Sequence, residues 1–216
     1  MTKTITRLFD DYADATSALH DLERLGVPHS AVSIVANNAD GAHGDGSHLD
    51  ATTALGDVDD RGDVSRGVST GAAVGGIGGL LAGLGLLAIP GLGPIVAAGW
   101  LASTVVGAGI GAAGGAATGT IVGALKDAGH TDEEAHVYSE GVRRGGTLLS
   151  ARVEDDIATE AEAVLDRNRS VDATTRGAAY RQDGWSSFDE AAPAYTRDEV
   201  AVERNRYRST TSTTAY

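Results

Sequence analysis

The chain has 216 residues, a formal net charge of −13 and no cysteine. The acidic balance argues against nucleic-acid binding, because such binding needs clustered Lys and Arg to displace the counterions of the phosphates. The absence of cysteine excludes disulfides, a thiolate nucleophile and thiolate-ligated metals.

Residues 1–37 are predicted to form a β-α-β unit. TITRLF (4–9) alternates in the manner of a strand, and ADATSALHDLERLG then places Ala and Leu at helical spacing until Gly26 ends the helix. AVSIVAN (31–37) is predicted as a second strand. The first residues lack a basic stretch followed by an apolar one, so we expect no secretion signal and chain ends that lie in the cytoplasm.

Residues 38–66 are rich in Gly, Asp and Asn and contain almost no large apolar side chain, which predicts a flexible linker. Potential metal ligands lie here at short spacing: Asp40, His43, Asp45, His48 and Asp50. They lack the D-x-[DN]-x-[DN]-G pattern and the late Glu of a calcium loop. We interpret them as solvated linker residues and expect no metal site.

Residues 67–125 carry no charge and are rich in glycine. Glycine recurs every fourth residue in two series, which places a stripe of glycines on each of two helices and allows their backbones to approach closely. These helix-packing glycines are Gly71, Gly75, Gly79, Gly83, Gly107, Gly111, Gly115, Gly119 and Gly123. Pro90, Gly91, Leu92, Gly93 and Pro94 separate the two series and predict the turn of an antiparallel helical hairpin.

Two interpretations of this hairpin remain open, insertion into a membrane or assembly in water. As a helix, residues 67–89 would be about 35 Å long, enough for a hydrocarbon layer of about 30 Å, with the turn towards the far face. GAAGGAATGT (111–120) offers lipid no large apolar side chain, which favours self-association in either medium. GIGAAG (109–114) matches G-x-G-x-x-G, but the longer glycine series explains it, so we expect no cofactor site.

Residues 126–175 are predicted to supply the second half of the α+β domain. Thr131 and Glu134 form the capping box of a helix over TDEEAHVYSEGVRRG, with Arg143 and Arg144 as surface or C-terminal helix charges. TLLSARV (147–153) is a third strand, DIATEAEAVLDRNR (156–169) a helix and SVDATT (170–175) a fourth strand. Together with residues 1–37, this order predicts a ferredoxin-like split β-α-β sandwich that carries the hairpin as an insertion.

The polar tail, residues 176–216, predicts mostly disorder, apart from a short helix over TRDEVAVERNRY. Its aromatic residues, Trp185, Phe188 and Tyr195, form either a docking motif or a strap across the domain. Four histidines lie on or beside helices without convergent carboxylate or nucleophile partners in the sequence, and we assign them no chemistry: His20, His29, His130 and His136.

Three stretches, taken together, resemble a known family. They are FDDYADATSALHDLERLGVPHSAVSIVA, the turn region IPGLGPIVAAGWLAS, and GHTDEEAHVYSEGVRRGGTLLSARV. The combination, within residues 4–175, resembles the general stress protein domain of bacteria and archaea, the heat-induced stress protein YflT type. WSSFDEAAPAYTRDEV in the tail is similar to extensions of some members. The resemblance implies a stress-linked role without a defined enzymatic activity, and it supplies no catalytic residues.

The glycine series predicts a hairpin that mediates membrane association, self-association or both, and the resemblance implies that the protein is a non-enzymatic general stress protein. We expect a cytoplasmic protein that is attached to the membrane through the hairpin. The alternative is a soluble, oligomeric ligand-binding or regulatory module in which the hairpin packs as a helical core. Neither interpretation assigns catalytic, cofactor-binding or metal-binding residues, and the identity of a small-molecule ligand stays open.

Overall fold

The computed structural model describes residues 1–41, 85–89, 91–104 and 121–211. The strands are β1 (Thr2–Phe9), β2 (Val32–Asn37), β3 (Gly85–Ile89), β4 (Gly93–Gly99) and β5 (Thr147–Glu154). The helices are α1 (Tyr12–Leu25), α2 (Ile121–Asp127), α3 (Asp132–Arg143), α4 (Ala158–Arg167), α5 (Ala173–Gln182) and α6 (Arg197–Thr211). A 3₁₀ turn (His29–Ala31) precedes β2, and residues 100–104 are also helical. The fold is therefore α+β, as the sequence predicts.

Within these residues the strands form one antiparallel sheet in the order β1-β5-β2-β4-β3. β5 lies between β1 and β2 and places Ser150 opposite both Thr6 and Ser33. The helix between β1 and β2 ends at Gly26, as predicted. The Asp11 carboxylate accepts a hydrogen bond from the Ala13 amide, and Gly26 ends the helix at a φ of 102°.

Both faces of the sheet are covered. Alternate residues of β1 and β5 point to opposite sides, so Leu8 and Leu148 belong to one core, while Phe9 and Leu149 belong to the other. The Phe9 side packs against α1 and α4. The Leu8 side packs against α2, α3 and α5, and we call it the helical face.

The predicted helical hairpin is wrong around its turn, because residues 85–89 and 93–99 are strands. β4 pairs with both β2 and β3, and Ile95 and Val96 are both buried. A strand buried on both faces has a continuous apolar sequence, which periodicity cannot distinguish from a buried helix. Gly91 and Gly93 turn the chain at φ of 76° and 80°. Of the predicted zipper glycines, Gly123 lies in α2, and the others lie outside the described residues.

The fourth predicted strand is also wrong. Residues 170–175 contribute a single bridge, from Val171 to Leu8 of β1, before α5 begins at Ala173. The Asp172 carboxylate accepts a hydrogen bond from the Thr175 amide at 2.8 Å, and this N-cap favours a helix over a longer strand.

The tail differs from its predicted disorder as far as residue 211, while residues 212–216 lie outside the described part. α5 extends to Gln182, and α6 (Arg197–Thr211) contains the short helix that the sequence predicts over TRDEVAVERNRY. Phe188 and Val200 are buried, and the Trp185 ring lies edge-on to Tyr180 at 5.7 Å. The tail is therefore a strap across the helical face. Aromatic and aliphatic contacts hold it there, although the sequence of the tail is mostly polar. Among the described helices, none has both the length and the apolar composition for crossing a bilayer.

Candidate functional site

A buried carboxylate and two arginines lie at the end of α3, on the helical face. Glu140 is 0% exposed, and its carboxylate accepts hydrogen bonds from Arg143 Nη2 at 2.9 Å and from Arg144 Nε at 2.6 Å. Spacings of three and four residues bring these side chains together on one side of the helix. One carboxylate thus compensates two guanidinium groups. The arginines are charges at the C-terminal end of the helix, one of the two predicted positions, but not surface charges, since each side chain is 10% exposed.

Aromatic side chains cover both guanidinium groups. Arg143 lies 5.6 Å from the ring centre of Phe188 and 5.2 Å from that of Tyr195, both in the tail. Arg144 lies 4.4 Å from the ring centre of Tyr180 in α5. Planar guanidinium groups stack well on aromatic faces, and burial strengthens the attraction. The tail therefore shields the arginine pair from solvent.

Helix α6 completes the cover over the arginine pair. Glu203 accepts a hydrogen bond from Arg144 Nη1 at 3.1 Å. Arg204 donates from Nε to the Gly145 carbonyl at 2.7 Å and forms an ion pair with Asp40. The Val200 side chain is fully buried. The helix is thus attached by charge on both sides of one aliphatic anchor.

Gly145 makes this close contact with α6 possible. It has a φ of +102°, in the left-handed region that glycine tolerates best. A Cβ at this position would lie 2.5 Å from Val200 Cγ1, so any larger residue would push α6 away. The RRGG sequence at residues 143–146 therefore places two buried arginines next to Gly145, whose lack of a side chain lets α6 pack directly on the backbone.

Little space remains beneath α6. A cavity of about 10 Å³ lies between the strap and the body of the domain, enough for about one water molecule. Arg176 lines it and donates to both carboxylate oxygens of Asp10, at 2.7 and 2.8 Å. Tyr207 of α6 also lines the cavity. Its ring centre lies 4.2 Å from the guanidinium carbon of Arg176. The tail thus occupies a charged site that would otherwise be open.

A second, open groove lies between the start of α3 and the segment after α5, with a volume of about 540 Å³. This size is in the range of small-molecule sites. Two of its side chains have a buried nitrogen without a hydrogen-bond partner among the described residues, Trp185 Nε1 and His136 Nδ1. The groove is lined by Asp132, Glu133, His136, Arg181, Trp185, Ser186 and Ser187.

The histidines do have carboxylate partners, contrary to the sequence interpretation. His20 and His29 face Glu23, His130 faces Glu134, and His136 faces Asp132. Each partner lies within a few residues along the chain, except for the pair His29 and Glu23, which the end of α1 brings together. Helical spacing of three or four residues was the signal for the others.

His130 belongs to a buried polar network that joins β1, β5 and α3. Its Nε2 lies 2.7 Å from Thr6 Oγ1, and its Nδ1 lies 3.7 Å from Glu134 Oε2. The order hydroxyl, imidazole, carboxylate is that of an activated nucleophile. Thr6 is only 1% exposed, however, and its hydroxyl also contacts Ser150, which is 0% exposed. No substrate can reach either hydroxyl, so the network has a structural role.

This network predicts a loss of stability on mild acidification. Burial lowers the pKa of His130 from its ordinary value of 6.5, and Glu134 offsets part of that effect. The unfolded chain therefore binds a proton near pH 6.5 that the folded chain does not, and stability falls as the pH drops below that value. We expect the free energy of unfolding to fall more between pH 7.5 and 5.5 in the wild type than in His130→Gln. Equal pH dependence in urea titrations would contradict this.

A Cβ at Gly91 of the predicted hairpin turn would lie 2.9 Å from the Glu190 carbonyl oxygen in the tail, and one at Gly93 would lie 2.9 Å from Ala194 Cβ. Of the five potential metal ligands in the linker, Asp40 pairs with Arg204, and the other four lie outside the described part. Within the described ranges no cluster of His, Asp and Glu is arranged to hold a metal ion.

Comparisons with known proteins supply no relative: no protein-family model, curated protein or solved structure matches the chain. The resemblance to the general stress protein domain therefore rests on the three stretches of sequence quoted above. A function for this protein has to be argued from the strap, the arginine pair and the open groove.

Proposed function

We propose that the protein is a non-enzymatic regulatory module that self-associates in the cytoplasm and serves a general stress role. The observation that carries this proposal is the use of its buried charged cluster. Glu140, Arg143 and Arg144 hold a segment of the chain, the tail, instead of lining an accessible cleft. A face that binds a peptide segment through cations and aromatic rings is suited to recognition rather than to catalysis.

The accessibility of the polar residues supports a non-enzymatic role. A nucleophile has to reach a substrate, and the hydroxyls of Thr6 and Ser150 are enclosed by the sheet. In the open groove, Asp132 is paired with Lys126 at 2.6 Å, and Glu133 is paired with Arg181. The Lys126 ammonium holds the pKa of Asp132 below its usual value, so this carboxylate is poorly suited to general acid catalysis near pH 7.

The proposal includes a ferredoxin-like core. Three features support it. β5 lies between β1 and β2 and runs antiparallel to both. α1 and α4 pack on the same face of the sheet. Val171 bridges Leu8 on the outer side of β1, where the fourth strand of a ferredoxin-like sheet would lie. In this description β3 and β4 extend the sheet beyond β2, and α5 replaces most of the fourth strand.

Between membrane association and self-association, the turn region favours self-association. Leu92 and Ile95 are each 1% exposed, and backbone of Glu190 lies against Gly91. A turn that is packed in the sheet and covered by the tail is not placed at the far side of a bilayer. The predicted glycine zippers remain a basis for contacts between copies, because stripes of small residues permit close approach of helices.

The zipper part of the proposal is tested by the oligomeric state. We expect the wild type to form oligomers and the double variant Gly111→Leu/Gly115→Leu to lose them, because two leucines on the stripe keep the backbones apart. Light scattering coupled to gel filtration measures the mass. Ala112→Leu/Ala116→Leu adds the same bulk beside the stripe and is expected to retain assembly. A wild type that is monomeric at every concentration would refute self-association.

The open groove favours a second candidate function, the binding of a polar small molecule. The hydroxyls of Ser186 and Ser187 line the groove beside Trp185 and supply hydrogen-bonding groups for a polar ligand. Trp100→Phe leaves Trp185 as the single tryptophan, so its fluorescence reports on the groove. A polar metabolite that shifts this emission in the Trp100→Phe protein, but not after the further change His136→Ala, would establish the site. A panel that produces no shift would remove this candidate.

A further inference from the structure

Within the strap, helix α6 is attached to the rest of the chain mainly through polar contacts. Of the branched aliphatic side chains in α6, Val200 is buried and Val202 is 66% exposed. Arg206 donates to Asp183 at 2.7 Å, in addition to the contacts of Glu203 with Arg144 and of Arg204 with Asp40. The helix thus presents both signs of charge to a body that presents the opposite signs, and this pattern sets its position and direction.

Helix α6 also carries its own start signal. The Glu199 carboxylate accepts a hydrogen bond from the Thr196 amide at 2.8 Å, and the Thr196 hydroxyl oxygen accepts one from the Glu199 amide at 3.4 Å. This reciprocal cap lies wholly within the tail, so the helix keeps it wherever it is bound. The connecting residues 184–196 begin at Gly184, whose φ is +85°, and reach at most about 40 Å when extended. That length is enough to carry α6 to a neighbouring molecule.

We propose that the surface beneath α6 also receives the α6 of a second copy, so that two chains exchange their tails and form a twofold dimer. We call this surface the dock and define it by Asp40, Arg144, Gly145, Arg176 and Asp183. In the closed form, α6 binds the dock of its own chain. Exchange needs no new interface, because α6 makes the same contacts with the dock of the second copy. The inference rests on the proposed self-association and names its partner as the tail of the same protein.

The closed form competes with exchange, because α6 is always close to the dock of its own chain. A tethered helix meets its own dock at a high effective concentration, so exchange is expected mainly when the closed form is weakened or the protein is concentrated. A variant that repels its own tail, but accepts the tail of a different variant, should therefore reveal the exchange. The two ion pairs Asp40 with Arg204 and Asp183 with Arg206 suit this design, because none of the four side chains is fully buried.

The experiment uses two full-length variants. The dock variant carries Asp40→Arg and Asp183→Arg, and the tail variant carries Arg204→Glu and Arg206→Glu. Each has like charges between its own tail and dock, which disfavours both the closed form and exchange with itself. In a mixture, the tail of the first fits the dock of the second with wild-type contacts, and the reverse pairing joins Glu to Arg. We expect native mass spectrometry of an equimolar mixture to show at least about tenfold more mixed dimer than either homodimer, where statistical mixing would give about twofold.

The variant with all four changes is the matched control and is expected to close on its own tail and to behave like the wild type. Circular dichroism melts check that each variant folds, and if a double variant unfolds, the single pair Asp183→Arg and Arg206→Glu is used instead. A mixed dimer at no more than the statistical proportion would overturn tail exchange. If the mixed dimer stays at the statistical proportion but the wild type still forms oligomers, tail exchange is wrong and self-association through the zippers is retained. The two proposals can therefore fail separately.

Discussion

Replacing Glu140 by Gln is expected to lower the free energy of unfolding by about 3–5 kcal/mol. The substitution keeps the size of the side chain but removes the charge that compensates Arg143 and Arg144, both largely buried by the tail. Arg144 would then keep the carboxylate of Glu203 at 3.1 Å, whereas Arg143 would lose the carboxylate that pairs with it. Urea unfolding followed by circular dichroism measures the change, as a lower midpoint at an unchanged slope.

Glu133→Gln is the matched control, because the same substitution in the same helix also removes an arginine partner. Glu133 pairs with Arg181, but its side chain is 71% exposed, so the pair is screened by solvent. We expect a loss of less than about 1 kcal/mol. Equal losses for the two variants would mean that the cluster around Glu140 is solvated and that the tail does not cover it.

Gly99→Ala is expected to destabilise the protein by about 3 kcal/mol, because strain and overlap act together. Gly99 ends β4 with a φ of +86°. A Cβ here would lie 2.3 Å from the Val32 carbonyl oxygen and 2.8 Å from the Ser33 Cα. Both contacts are with backbone of β2, which cannot move without loosening the pairing of β2 with β4. The loss would appear in urea unfolding of the full chain.

Gly129→Ala separates strain from overlap. Gly129 has a φ of +100°, but a Cβ there would meet nothing within 4 Å. The expected loss is about 1–2 kcal/mol, from strain alone. If the region around residue 99 were the helical hairpin that the sequence suggests, Gly99→Ala would instead stabilise it by about 1 kcal/mol, because alanine favours a helix. The sign of the Gly99→Ala effect therefore distinguishes strand from helix.

Elements with strong end signals were predictable from the sequence. Asp11 and Gly26 bound α1, and Thr131 with Glu134 caps α3, because these signals act within a few residues. β4 was not predictable, since its sequence, GPIVAAG, has no alternation. It lies inside the sheet with both faces covered, and only the pairing with β2 reveals it as a strand.

The candidate site could be predicted only in part. The spacing of Glu140, Arg143 and Arg144 indicates an ion pair on a helix, and Gly145 indicates a close contact. Burial was not predictable, because it comes from the tail: Arg144 and Glu203 are 59 positions apart in the chain. Phe188 and Tyr195 were the useful signals, since large aromatic residues in a polar segment need a surface on which to pack.

Amide hydrogen exchange in α6 of the full-length wild type tests the docking of the tail most directly. A free helix of this length is marginal in water, so protection has to come from the contacts of Val200 and Glu203 with the body. We predict protected amides from residue 200 to residue 207 and loss of that protection in Val200→Asp, with the exchange of β5 unchanged. Exchange of α6 in the wild type as fast as in an unstructured peptide would contradict the docked tail.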